Sequence, residues 1–162
     1  MLFRSGGAQN IGEAIAKTFS GAGAKVMIAD LNGEKAQATA EAIQAVTGNQ
    51  VLGIGCNVTV EEDIQQCVTK TVAAFGGIST LVNNVGWGKA YDDPLEVPME
   101  EMIESYKLNT LAATRMTSVC RPYLLKAENA TITNSGSLVG VLPAFDFIAY
   151  SAAKAEIGRA HV

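Results

Sequence analysis

Histidine is almost missing from this sequence: His161, the penultimate residue, is the only one among 162. A single imidazole cannot build a His-ligated metal cluster or a His-centred catalytic pair elsewhere in the chain. Basic residues are also scarce, 12 against 16 acidic for a net charge of −4, and they form no run. That excludes the electrostatic footprint of a nucleic-acid binder or of a protein drawn to anionic membranes. No apolar stretch approaches the roughly 18 residues that span a bilayer, and the opening MLFRSGGAQN carries no apolar run of the secretory-signal kind. The three cysteines, Cys56, Cys67 and Cys120, are odd in number, scattered and set in apolar surroundings. They read as reduced, buried thiols of a cytoplasmic protein rather than a disulfide framework.

What is present is apolar and glycine-rich: 48% hydrophobic residues and 16 glycines in a length suited to one domain with a real core. Helical and strand patterns alternate, which predicts a parallel sheet with crossover helices. Ile11, Ile15 and Phe19 share one helix face, and Gly21 and Gly23 follow it. Strands are expected at residues 25–30, 51–55, 80–84 and 130–134, with an Ala-rich helix over 33–46. Thr59 and Glu62 have capping-box spacing for a helix to about residue 75. Pro98 suits the first position of a long helix towards residue 125, and a last helix begins near Tyr150.

The two ends look foreign. The last six residues, IGRAHV, are what the sequencing-adapter string AGATCGGAAGAGCACACGTCTGA encodes in its third frame, and MLFRS is what GTGCTCTTCCGATCT encodes from a GTG start. The second string is the reverse complement of the start of the first. The expectation is a native piece over residues 6–156, with 1–5 and 157–162 set aside from fold reasoning.

Two groups of residues carry chemistry. Gly6-Gly7-Ala8-Gln9-Asn10-Ile11-Gly12 is a glycine turn opening a helix, where backbone amides and the helix N-terminus favour a pyrophosphate. Asp30-Leu31 closes the next strand, and a carboxylate there suits two ribose hydroxyls. No Lys or Arg lies in the turn or directly after Asp30, so a 2′-phosphate would meet only negative charge, which favours NAD over NADP. The second group is Tyr150 and Lys154, four apart on one helix face, with Ser137 thirteen residues before the tyrosine and Asn109 further upstream. An ammonium near a phenol favours the phenolate, and a hydroxyl beside it can hold a carbonyl oxygen: a proton-transfer device for alcohols and ketones. Trp87 reads either as substrate-pocket lining or as packing.

With these residues in order, the sequence resembles the classical short-chain dehydrogenase/reductase family, nearest the 3-oxoacyl-carrier-protein reductase and hydroxysteroid dehydrogenase-like set. The family's Thr-Gly-x-x-x-Gly-x-Gly falls on Ser5, Gly6, Asn10 and Gly12, its Asp-Val on Asn57-Val58, and its Asn-Asn-Ala-Gly on Asn83-Asn84-Val85-Gly86. Its catalytic asparagine falls on Asn109, its Ser-x-x-Gly on Ser137 to Gly140, and its Tyr-x-x-x-Lys on Tyr150 and Lys154. The resemblance implies a Rossmann-like doubly wound sheet and NAD as cofactor, held by Gly6, Asn10, Ile11, Gly12, Asp30, Leu31, Asn57, Val58, Asn84, Val85, Gly86, Tyr150 and Lys154. It implies no metal, a small alcohol or ketone substrate, and a homodimer or homotetramer. Tyr150 would be acid/base, Lys154 would serve the tyrosine and the ribose, Ser137 would hold the substrate oxygen, and Asn109 would hold a relay water. A nucleotide-binding regulator without turnover is the alternative. With residues 1–5 set aside, the sheet is expected to be incomplete, lacking its first strand and its C-terminal strands, and the fragment is expected to be inactive.

Overall fold

A computed structural model describes residues 1–142 and 144–157. Strand β1 (Leu2–Ser5) leads through the glycine turn into helix α1 (Asn10–Gly21), followed by β2 (Val26–Asp30), α2 (Gly33–Thr47), β3 (Val51–Gly55), α3 (Glu61–Phe75) and β4 (Thr80–Asn83). Next come α4 (Met99–Tyr106), a π turn (Lys107–Leu111), α5 (Ala112–Leu124), β5 (Thr131–Asn134) and α6 (Ile148–Ile157). All strand pairs are parallel, in the order β3-β2-β1-β4-β5. This is a Rossmann-like doubly wound sheet, with its switch point between β1 and β4.

The expectation of an incomplete sheet is corrected here. Leu2–Ser5 forms the central strand, pairing Leu2 with Val26 on one side and with Thr80 on the other, and five strands pair without a gap. The ladder is made by backbone N–H and C=O groups, so any extended segment that reaches the slot between β2 and β4 can fill it. The tail call at residues 158–162, His161 included, lies outside the described residues.

Both faces of the sheet are covered, as a parallel sheet requires. Val26 and Ile28 of β2, with Val82 of β4, pack against Ala16, Ala36, Ala40 and Ile43 from α1 and α2. The alternate residues Met27, Ala29 and Leu81 pack against Ile64, Cys67, Val68, Met116 and Cys120 from α3 and α5. Small residues let α2 lie close: a Cβ on Gly53 would stand 2.3 Å from the Ala36 carbonyl carbon.

Two local expectations change. Helix α1 buries Gly12, Ala16 and Ser20, while Ile11 is 70% exposed and Phe19 is exposed too. The packed stripe is the small-residue one, because the helix must approach the sheet closely. Helix α3 starts at Glu61 with Val60 as N-cap and no side-chain cap. Thr59 Oγ1 instead donates to Asn57 Oδ1, and Asp63 accepts from Asn57 N–H at 2.9 Å, so an Asx turn replaces the capping box. No helix among the described residues is long and apolar enough to cross a membrane.

Candidate active site

A cavity of about 600 Å³ lies at the carboxyl ends of the strands, within the usual size of cofactor sites, roughly 300–1,000 Å³. Its walls include Gly6, Asn10, Ile11, Gly12, Asp30, Leu31, Asn57, Val58, Asn84, Val85, Gly86, Tyr150 and Lys154. Sequence reading missed Gln9, Cys56, Leu108, Ser135 and Gly136, and left Trp87 open; all six line the same space. Ser137 and Asn109 are not in its wall.

At one end the glycine turn is held open by backbone geometry. Gly6 has φ +64° and Asn10 has φ +52°, both left-handed; asparagine tolerates that region better than other L residues. A side chain on Gly6 would also meet Val85 Cγ2 at 3.1 Å. Asp30 ties the turn to β2: Oδ2 accepts from Ala8 N–H at 3.1 Å and Oδ1 accepts from Asn32 N–H at 3.1 Å. Lys35 Nζ donates to Gln9 Oε1 on the cavity wall, which brings a cation to this end from five residues beyond Asp30. Asn57 Oδ1 accepts from both Thr59 N–H and Thr59 Oγ1. The side-chain carbonyl of Asn57, which the resemblance assigns to the cofactor, is thus engaged within its own turn.

The switch point is a continuous polar chain. Asn84 Nδ2 donates to Gly6 O at 3.3 Å, Ser135 Oγ donates to Asn84 Oδ1 at 3.1 Å, and Lys154 Nζ donates to Ser135 O at 2.9 Å. The glycine turn and the lysine are linked through the ends of β4 and β5. Lys154 is 4% exposed, and burial pushes its pKa below the ordinary lysine range. Its Nζ stands 5.8 Å from the Tyr150 ring centroid. Phe147 meets the Tyr150 ring edge-on at 6.4 Å.

Asn109 sits in the π turn and is 2% exposed. Its Nδ2 donates to Ser105 O at 2.9 Å, taking the carbonyl that its own backbone N–H would use in an α-helix. Ala112 N–H then bonds five residues back to Lys107 O, which accounts for the wide turn. Nδ2 also donates to Trp87 O at 2.9 Å and Oδ1 accepts from Trp87 N–H at 3.1 Å. Both amide protons are therefore engaged, and the side chain clamps the Trp87 backbone. Ser137 lies half-buried before a single 3-10 turn, Leu138–Gly140, two residues beyond Ser135.

The three cysteines are free and buried. Burial pushes Cys120 up to about 12, and Cys67 is pushed up by its hydrogen bond to Cys56 and by burial. No group of His, Cys, Asp and Glu among the described residues could hold a metal ion.

Comparison with known proteins agrees with this geometry. The chain is 35% identical over 159 residues to the 2,5-dichloro-2,5-cyclohexadiene-1,4-diol dehydrogenase LinX of Sphingobium indicum, covering 94% of this chain and 60% of that one. It is 34% identical over 153 residues to the 4-formylbenzenesulfonate dehydrogenase TsaC1/TsaC2 of Comamonas testosteroni, with the same coverage. The chain thus spans about 60% of the length of these curated relatives. Among solved structures, a 7α-hydroxysteroid dehydrogenase complexed with NADH and 7-oxo glycochenodeoxycholic acid superimposes with a TM-score of 0.91 at 26% identity, covering 98% of this chain and 61% of that one. The family model for short chain dehydrogenases matches residues 3–159, beginning inside β1. With that match over nearly its whole length, the chain belongs to the short chain dehydrogenase family.

Proposed function

We propose that the protein is an NAD(H)-dependent oxidoreductase that interconverts a secondary alcohol and a ketone. One observation carries this reading: a single cavity joins the glycine turn and Asp30 at one end to Tyr150 and Lys154 at the other. The donor set fits a dinucleotide. Asp30 gives one lone pair of each oxygen to a backbone amide, which leaves acceptor capacity on both for two ribose hydroxyls. Lys154 gives two protons to carbonyls, Ser135 O and the longer contact Val85 O at 3.5 Å, and keeps a third for a ribose hydroxyl or the phenol oxygen. Bound there, the cofactor supplies the hydride.

The chain's own residues do the rest. Tyr150 gives the proton to the carbonyl oxygen or takes it from the alcohol. Lys154 stabilises the phenolate, and Ser137 holds the substrate oxygen. Asn109, with its amide engaged, fixes the Trp87 strap beside them. A place nearest the 3-oxoacyl-carrier-protein reductase and hydroxysteroid dehydrogenase-like set is supported by the superposition on a hydroxysteroid dehydrogenase. A homo-oligomer is supported by Met99, Ile103 and Tyr106, which expose one apolar stripe on α4.

Trp87 makes the test direct, because it is the only tryptophan and it lines the cavity. NADH should quench its emission and gain sensitised fluorescence, saturably and with competition by NAD. Tyr150→Phe should keep that binding within about twofold while lowering ketone reduction at least about 100-fold, the scale of a lost general acid. Near-normal turnover in Tyr150→Phe, or no saturable NADH signal, refutes the reading.

A further inference from the structure

We infer that Gly88 is a positioning residue for Tyr150: the lack of a side chain there sets where the phenol ring stands. This rests on the reading of Tyr150 as the acid/base. A Cβ on Gly88 would lie 2.6 Å from Tyr150 Cβ, 2.6 Å from Cγ and 3.1 Å from Cδ1. Carbon atoms in ordinary contact stand about 3.5–4.0 Å apart, so the overlap is about an ångström. Backbone conformation is not the reason for the glycine, since the φ of Gly88 is outside the left-handed region that, among the described glycines, Gly6, Gly23, Gly48 and Gly76 occupy.

Both sides of the contact are tied to their surroundings. The strap carrying Gly88 is held one residue before it, where Asn109 grips both the N–H and the C=O of Trp87. It is held again three residues after it, where Tyr91 N–H donates to Asp146 O at 2.8 Å. Helix α6 is held from two directions. Thr110 Oγ1 donates to Ala153 O at 2.9 Å. Gly140 lies so close that a Cβ on it would stand 2.7 Å from the Lys154 carbonyl. Tyr150 Cβ is carried by the backbone of α6, so rotation of the side chain cannot relieve the overlap and the Tyr150 residue must shift as a whole against these ties. A shift of that size displaces the hydroxyl by about an ångström, which costs on the order of 100-fold in rate when a reacting group is misplaced.

The test labels the chain with 3-fluorotyrosine, whose four 19F resonances come from Tyr91, Tyr106, Tyr123 and Tyr150, and assigns Tyr150 by its loss in Tyr150→Phe. Gly88→Ala should move the Tyr150 resonance while Tyr123, near the end of α5, keeps its own. An unmoved Tyr150 resonance, or equal movement of all four, overturns the inference. Thermal melts supply the second measurement. The loss of melting temperature caused by Gly88→Ala should shrink by at least about half in a Tyr150→Gly background, because the clash is with that side chain. If Gly88→Ala alone does not fold, a cooperative melt regained in the double variant supports the inference, and continued failure overturns it. In ketone reduction, Gly88→Ala should lower kcat about 100-fold with KM for NADH within about twofold. The 19F shift reads geometry whether or not Tyr150 proves to be the acid/base, so failure of the functional reading and failure of this inference give different results.

Discussion

Asn10 holds φ at +52° in the turn where the family pattern has glycine. An L residue without a local polar side chain costs about 1–2 kcal/mol in that region. Asn10→Ala is therefore expected to lower stability by about 1 kcal/mol in urea titrations, and Asn10→Gly to change it by no more than a few tenths. In the proposed function Asp30 sets cofactor choice, but Lys35 alters the picture drawn from sequence, where no cation stood close to it. In Asp30→Ser the Lys35 ammonium is left to face a 2′-phosphate. NADPH affinity relative to NADH should rise about tenfold or more in fluorescence titrations, and Asp30→Ser with Lys35→Ala should lose that gain. Lys35 was not legible as a neighbour because its reach to Gln9 depends on how α2 packs beside the turn, not on spacing along the chain. Lys154 gives a test of a different kind. Its pKa is lowered by burial. At pH values below that lowered pKa, folded and unfolded chains both carry the proton, and the full burial cost is present. Between the lowered value and the ordinary lysine value, the unfolded chain holds a proton that the folded chain has released, so stability rises with pH. The urea midpoint of the native chain should gain on that of Lys154→Met as the pH rises towards the ordinary lysine value of about 10.4. A constant gap would show that the folded lysine titrates normally.

At the scale of elements, β2 to β5 and the helix ends were read to within a residue or two, since period-2 and period-3.6 patterns and turn residues mark them directly. Faces were less legible. Ile11, Ile15 and Phe19 make the more apolar stripe of α1, yet Gly12, Ala16 and Ser20 are the buried ones. Hydrophobicity ranks side chains by their dislike of water, whereas close packing selects the smallest. The π turn was not legible at all, because it follows from the Asn109 amide bonding to Ser105 O, which no periodicity announces. Packing distance yields a paired prediction. Gly53→Ala drives a methyl into the α2 backbone at 2.3 Å, and should cost about 3 kcal/mol or more in urea titrations. Gly21→Ala, with no atom within 4 Å of its new Cβ, should leave stability unchanged or raise it by up to about 1 kcal/mol.

For the molecule as a whole, the sequence carried the alternation of strands and helices, the two functional clusters and their order, and so the doubly wound class. It did not carry the central strand. Leu2–Ser5 was discounted on the origin of its residues, and origin is irrelevant to a backbone ladder. Amide hydrogen exchange should be slowest in β2 and β4, whose residues Val26 to Ala29, Leu81 and Val82 are almost fully buried, and faster in β5, whose Thr131 and Thr133 are exposed. The position of β1 also governs the order of assembly. Its partners lie at residues 26–29 on one side and 80–83 on the other. A chain emerging from the ribosome can pair β1, β2 and β3 early, but β1 keeps one naked edge until β4 has been synthesised, and β4 keeps its own until β5 arrives. Each new strand is added outward from the first one made, so at every stage the growing sheet presents an open ladder edge on each side, the kind of surface that chaperones must shield.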